Sequence, residues 1–439
     1  MLWPLTTRRD ARGRLVIGDV PVTDLAAEFG TPLYVYDEAT IRERCRTYHD
    51  AFAARYPATR IVYAGKAYLS TVVLGIVAEE GLDLDVVSGG ELAFAVRSGF
   101  PADRIVFHGN NKTEDELSLA LRLGVGEIVI DNHHEIDLLK QILADSGARV
   151  KVLLRINPGI DSHTHAFRKT GVVDSKFGLL IENGDAALAT ERLCQIPGVD
   201  VAGYHAHVGS QIFEVEPFAT AVDVLFAFAA AMRERYGVVP REISPGGGLA
   251  IAYEPTEADP SLAAYAAALA DRTRLNAERY GFDLPLLTVE PGRSIIGTAG
   301  VAVYRVGAIK EIPGIRRYVC VDGGMADNIR PALYGARYVA ELANRNDGEP
   351  ATVTIAGKYC ESGDVLIDAA TLIDPVPGDL IAIPAAGAYA LAMASNYNLA
   401  CRPAAVLVGQ GNVRLMQRRE TYDDLLARET GIVAASSDG

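Results

Sequence analysis

Six short stretches of the sequence hold side chains suited to chemistry. In Ala64-Gly65-Lys66 a lysine follows a β-branched run. It is either a solvated loop charge or an amine aimed into a site, where partial desolvation would lower its pKa enough for Schiff-base chemistry. Gly246-Gly247-Gly248 offers backbone N–H groups with no side chains in the way. That suits a phosphate cradle or simply a tight turn, and it is neither a Walker loop nor a GxGxxG fingerprint. Glu290-Pro291-Gly292-Arg293 joins an acid to a base. It is an ion pair closing the fold, or a carboxylate facing a heterocycle nitrogen beside an arginine that grips an anion.

His205-Ala206-His207 puts two imidazoles on one face of a predicted strand, which raises a metal-dependent hydrolase. That chemistry needs further ligands on later strands, and no histidine follows His207, so no bound metal is expected. His133, His134, His163 and His165 fall in predicted loops or helix starts and read as surface residues. Cys360-Glu361-Ser362-Gly363-Asp364 packs a thiol and two acids into one turn. A lone cysteine is more often packing than chemistry, but so polar a turn suits a thiol that gives or takes a proton. Arg330-Pro331-Ala332-Leu333-Tyr334 adds a cation and a phenol suited to a substrate carboxylate.

Most of these stretches end apolar runs. The runs start near Ile61, Leu84, Ile105, Ile128, Val152, Val201, Ile243 and Leu286. Segments of helical periodicity lie between most of them, such as Thr113–Leu123 and Phe218–Arg235. Eight strands alternating with helices predict a parallel (β/α)8 TIM-like barrel, whose chemistry sits at the C-terminal strand ends. The segment from Glu38 to Tyr56 is its expected first helix. After Arg293, β-branched runs separated by Gly, Pro and Asp predict an all-β sandwich or barrel domain. The opening hairpin around Arg8–Val20 is expected to join that sheet. The predicted division is residues 36–290 for the barrel, with 1–35 and 291–439 forming the β domain.

Composition narrows the function classes. The chain has 439 residues, 49% hydrophobic, with 42 Lys plus Arg against 56 Asp plus Glu, a net charge of −14. Such an acidic protein is not built for general attraction to nucleic acid or anionic membrane. Five cysteines without a CxxC pair argue for a reducing cytoplasm and against a disulfide scaffold or zinc site. Leu380–Cys401 carries no charge, yet its Pro384, Gly387, Asn396 and Asn398 are ill suited to face lipid.

In their order along the chain, YAGKA, SGGEL, HGNNK, HVGSQ, PGGG, EPGR, RPALY, CESGD and GAYA resemble the fold-type III pyridoxal-phosphate-dependent amino-acid decarboxylases. The resemblance runs over nearly the whole chain and is greatest with members acting on meso-2,6-diaminopimelate. It implies decarboxylation at the D-configured centre to give L-lysine, the last step of lysine synthesis. Lys66 would hold pyridoxal 5'-phosphate covalently, His207 would lie against the ring and Ser210 near the phosphate. Gly246, Gly247 and Gly248 would bind phosphate through their N–H groups. Glu290 would pair with the ring nitrogen, with Pro291 and Gly292 beside it. Arg293, Arg330 and Tyr334 would hold the substrate's carboxylate end. Cys360 would supply the proton after CO2 leaves, Glu361 would hold the distal ammonium, and Tyr389 would touch cofactor and substrate. The family builds its sites across a homodimer interface, with the CESGD turn coming from the partner subunit.

One loop departs from the family pattern, with Ala166-Phe167-Arg168 where Pro-Tyr-Ile is more frequent. Two other functions fit the same motifs. One is a sister decarboxylase acting on another carboxylated diamine or a carrier-linked amino acid. The other is an inactive relative that only binds the cofactor or a protein partner. A racemase fits less well, because alanine racemases of this fold place an arginine, not a glutamate, at the ring nitrogen.

Overall fold

The computed structural model describes residues 1–160 and 174–431. His163, His165 and Ala166-Phe167-Arg168 lie outside the described residues. The chain forms two units, Met1–Leu2 with Ala39–Ala299, and Trp3–Glu38 with Gly300–Gly439.

The first unit is the expected barrel. Its eight parallel strands are Thr59–Ala64, Asp83–Val86, Ile105–Phe107, Glu127–Ile130, Val150–Asn157, Val199–His205, Glu242–Gly246 and Leu286–Val289. Leu286–Val289 pairs back onto Thr59–Ala64, which closes the ring. Strands in such a ring are buried on both faces, so they read as apolar runs rather than as alternation. The helix after the fourth strand, His133–Ser146, starts on Asn132, whose side chain accepts the Glu135 N–H. His133 and His134 are therefore its first two helical residues.

Side chains two apart along each strand share a face, and inside the barrel they stack in three tiers. The lowest tier is charged. Lys151 Nζ lies 2.7 Å from Glu127 and 2.5 Å from Glu242, and Arg60 reaches Asp83, Glu127 and Glu242. The middle tier is apolar, built from Val62, Val106, Val129, Leu153 and Ala202. The upper tier, one further step along, carries Asp85, His108, Asp131, Arg155, His205, Ser244 and Glu290, all buried.

The sixth strand reaches that tier through a bulge. Val201 pairs with Val152 and Gly203 with Leu153, so Ala202 is an extra residue. Beyond it the phase is reset. Tyr204 turns outward onto Phe228 of the helix Glu216–Tyr236, with ring centroids 4.9 Å apart, and His205 turns inward opposite Arg155. Gly203 is required here, since a Cβ would lie 1.8 Å from the Glu242 carbonyl oxygen.

The second unit centres on the long strand Gly300–Ile312, flanked by Leu33–Asp37, Arg316–Val321 and Leu380–Ile383 in a nine-stranded sheet. The opening hairpin does not join this sheet. It makes a separate three-stranded one from Arg8–Arg9, Leu15–Ile17 and Val20–Pro21. Leu33–Asp37 takes the place instead, between Gly300–Ile312 and Ala404–Gly409. All five of its residues are buried, as a central strand requires, whereas the hairpin's outer strands are part-exposed. Leu15, Ile17, Val22, Leu33, Val301, Ala382 and Val406 share one core. The uncharged stretch forms the strand Leu380–Ile383, then turns and two short 3-10 segments. Among the described residues, no helix is long and apolar enough to cross a membrane.

Candidate active site

At the C-terminal mouth of the barrel the first strand ends in a 3-10 turn, Gly65–Ala67, with Lys66 exposed. Its amine stands at the rim of the mouth. The EPGR segment is stitched to this turn. The Ala64 N–H donates to the Pro291 carbonyl at 3.0 Å, and a Cβ on Gly292 would sit 3.0 Å from that of Ala64.

Glu290 follows directly on the last strand and is buried. Its Oε1 accepts from the Ser244 hydroxyl at 3.0 Å, and its Oε2 lies 3.1 Å from His205 Nε2. Burial pushes its carboxyl up, but the hydrogen bond from His205 holds it well below the usual range, so Glu290 is ionised. Asp85 on the second strand has the opposite fate. Burial and the Glu290 charge push its carboxyl well above the usual range, and it keeps its proton. Burial also holds the His108 and His207 imidazoles well below their usual values, hence neutral.

The two histidines of the HxH motif part company. His205 faces Glu290, while His207 Nδ1 accepts the Gly247 N–H at 3.3 Å. The donor set that does gather, His108, His205 and Glu290 within 4.8 Å of one another, does not include His207.

The glycine triplet and the HVGSQ segment form one cradle. Ile212 N–H donates to the Gly248 carbonyl and Ala250 N–H to that of Ile212, each at 3.0 Å. The Gln211 amide bonds the Ile251 backbone at both its ends. The approach is so close that a Cβ on Gly247 would meet the Glu290 carbonyl oxygen at 1.9 Å, and one on Gly248 that of Gly209 at 2.0 Å. Arg293 closes the cradle, donating to the Ser210 hydroxyl at 3.1 Å and to the Tyr253 hydroxyl at 2.7 Å. Glycine N–H groups, a serine and a buried arginine suit a phosphate dianion, an ionised carboxylate suits a protonated ring nitrogen, and a rim amine suits an aldehyde. The donor set fits pyridoxal 5'-phosphate.

The second unit carries the other five predicted residues on three segments. Arg330 and Tyr334 begin and end a short helix, where Arg330 is buried and donates to the Tyr338 hydroxyl. Cys360 and Glu361 are exposed on a turn built around buried Asp364, which accepts the Met325 and Tyr359 N–H groups at 2.7 and 2.8 Å. The Cys360 N–H donates to Asn398 Oδ1 at 3.0 Å. Tyr389 takes a left-handed backbone, φ 60, which is strained for an aromatic residue and is held by buried Ala388 and Ala390.

Sequence reasoning passed over Asp85, His108, Arg155, Ser244 and Tyr253. The signal was there for the first four, single polar residues within an apolar run or, for His108, just after one. Tyr253 lies in a loop and gives none. Conversely, Lys112 of HGNNK is structural. It is buried and bonds the Gly109 and Val129 carbonyls and Glu135, which clamps two loops together.

The comparisons with known proteins agree with one another. Residues 38–297 match the family model described as pyridoxal-dependent decarboxylase, pyridoxal binding domain. The chain is 47% identical to the diaminopimelate decarboxylase of Bacillus subtilis, over 96% of each chain. It is 44% identical to that of Synechocystis, over 98% of this chain and 92% of the other. Among solved structures it is similar to diaminopimelate decarboxylase from M. jannaschii in complex with L-lysine, with TM-score 0.92, 35% identity and 99% of each chain covered. The enzyme from Helicobacter pylori complexed with L-lysine gives TM-score 0.84 at 30% identity, over 93% of this chain and 99% of that one. The chain therefore belongs to the diaminopimelate decarboxylases of the pyridoxal-dependent decarboxylase family.

Proposed function

We propose that this protein decarboxylates meso-2,6-diaminopimelate to L-lysine and CO2 with pyridoxal 5'-phosphate as cofactor. The observation that carries the proposal is the barrel mouth itself. An ionised glutamate held by two donors, a glycine cradle closed by serine and arginine, and a rim lysine stand together there. When bound, the cofactor supplies an electron sink for the pair left at Cα as CO2 departs. Lys66 would hold the cofactor through its aldehyde, its exposed amine standing where a substrate amine can reach. Gly246, Gly247, Gly248 and Ser210 bind the phosphate. His207, neutral and fixed by the Gly247 N–H, would lie against the ring without adding a charge to it. Glu290 keeps the ring nitrogen protonated, with Pro291 and Gly292 tying it to the lysine turn.

Arg293, Arg330 and Tyr334 bind the carboxylate that remains, and Glu361 the distal ammonium. Cys360 returns a proton to Cα, and Tyr389 contacts both cofactor and substrate. Exposure of the CESGD turn supports its donation to a second subunit, so the working enzyme is a homodimer with shared sites. A place in the cytoplasm accords with the biosynthetic reaction and the free cysteines. The L-lysine bound in the related structures corresponds to the expected product. The test is a product assay with cofactor-loaded protein. L-lysine and CO2 from meso-diaminopimelate are expected. No CO2 refutes the assignment, and faster turnover of another carboxylated diamine makes the chain a sister enzyme.

A further inference from the structure

His205 is buried against Glu290 and has no part in the reaction itself. Its Nε2 lies 3.1 Å from Glu290 Oε2, and its Nδ1 is buried with no hydrogen-bond partner among the described residues. His108 stands edge-on to it, with centroids 4.9 Å apart, and brings its own Nε2 to 3.5 Å from Glu290 Oε1. The other charges of this tier are spoken for or stand at its rim. Arg155 lies 3.8 Å from Asp131 and over the Phe177 ring, and Lys66 is exposed.

This arrangement distinguishes two forms of His205. An imidazolium would leave a charged Nδ1–H donor buried without an acceptor, which is costly, and it would cancel the Glu290 charge. The neutral Nε2–H tautomer leaves only a bare lone pair at Nδ1 and still donates to Glu290. With the Ser244 hydroxyl on the other oxygen, the carboxylate is then gripped at both ends by neutral groups. We propose that His205 is a positioning residue: as a neutral Nε2–H donor it fixes the Glu290 carboxylate without cancelling its charge, reserving that charge for the protonated ring nitrogen of the cofactor. The inference rests on the role given to Glu290 under the proposed function.

Two measurements on the holoenzyme test it. Nitrogen-15 NMR of histidine-labelled protein reads the tautomer directly, with the His205 signal assigned by its loss in His205→Gln. A neutral Nε2–H pattern at pH 7 is expected, and an imidazolium pattern overturns the proposal. Second, His205→Gln keeps a donor that His205→Leu lacks. His205→Leu is expected to weaken cofactor binding about 10- to 100-fold, the scale of one hydrogen bond to a buried charge, and to move the visible band away from the ring-protonated form. His205→Gln is expected to restore both to within about threefold. Equal effects in the two variants, with melting temperatures alike, reduce His205 to a packing residue and overturn the proposal. Wild-type protein that takes up no pyridoxal 5'-phosphate overturns the proposed function and this inference with it. Normal uptake with an unresponsive spectrum overturns this inference alone.

Discussion

The charged floor of the barrel predicts a variant that unfolds easily yet keeps its chemistry. Lys151→Met removes the cation nearest to Glu127 and Glu242, each only 1% exposed, and leaves Arg60 at 3.4 Å from both. Breaking a buried pair by removing one partner costs about 3–5 kcal/mol. Lys151 itself is 34% exposed, so water can partly replace it and the lower figure applies, about 3 kcal/mol. A barrel unit of roughly 260 residues unfolds with an entropy near 0.55 kcal/mol/K, so the melting temperature should fall by about 5 °C. The loss has a pH signature. Burial, and then Glu242, push the Glu127 carboxyl up to about 8. A carboxyl raised on folding favours the folded state fully below its unfolded value and loses that advantage as pH rises through the folded one. Without Lys151 the two carboxylates repel most when both are ionised, so the drop should be larger at pH 9 than at pH 6. Calorimetry at the two pH values, with the cofactor spectrum and KM at pH 7.5, checks this. A variant melting within about 1 °C of wild type at pH 9, or losing more at pH 6, refutes the reasoning.

Three further outcomes follow from the described geometry. Gly248→Ala forces its cradle strands apart, since the new Cβ must retreat by about 1 Å from the Gly209 carbonyl to reach the limit of real contacts. Equilibrium titration should show at least about tenfold weaker cofactor binding, with far-ultraviolet dichroism unchanged. Cys360→Ala should retain the cofactor spectrum and lose most turnover in the product assay, while full activity would remove the thiol from the reaction. Asp327 is buried and accepts from Tyr304, Tyr34 and Gly324, and burial pushes its carboxyl up to about 6. Its contribution to stability is full below its unfolded value near pH 4 and is lost as pH rises through 6, on the order of 3 kcal/mol. Denaturant titrations at pH 4 and pH 7 should show that difference shrinking in Asp327→Asn.

The eight barrel strands were legible because a parallel ring buries both faces of each strand, and such strands stand out as apolar runs ending in glycine or a polar residue. Lys66, the glycine triplet and Glu290 stood out for the same reason: each is the first residue after a run that breaks its composition. The hairpin was misplaced because pairing partners are long-range. Nothing local in Arg8–Val20 or Leu33–Asp37 tells which of them Gly300–Ile312 accepts. Asp85 and Arg155 were missed because each sits inside its run, where a lone charge looks like noise until the ring closes and brings the charges together. His205 was noticed but paired with the wrong partner. Strict alternation sets it beside His207, but alternation holds only within a strand: this one ends at His205, and it has already failed once at Ala202.

That failure, the extra residue at Ala202, makes the floor and the mouth of this barrel separately adjustable. Counting decides which side chain looks inward. Deleting Ala202 would leave Val201 opposite Val152 and Gly203 opposite Leu153, so His205 would still face Glu290, whereas unbroken alternation through Ala202 would turn Tyr204 inward in its place. Regular pairing of the whole strand, with Ala202 kept and no bulge, would therefore exchange an imidazole for a phenol beside Glu290 without touching the charged foundation beneath. For descent or design on this scaffold, strand length is a chemical variable in its own right, and an alignment that closes the gap at Ala202 would compare residues that never occupy the same place.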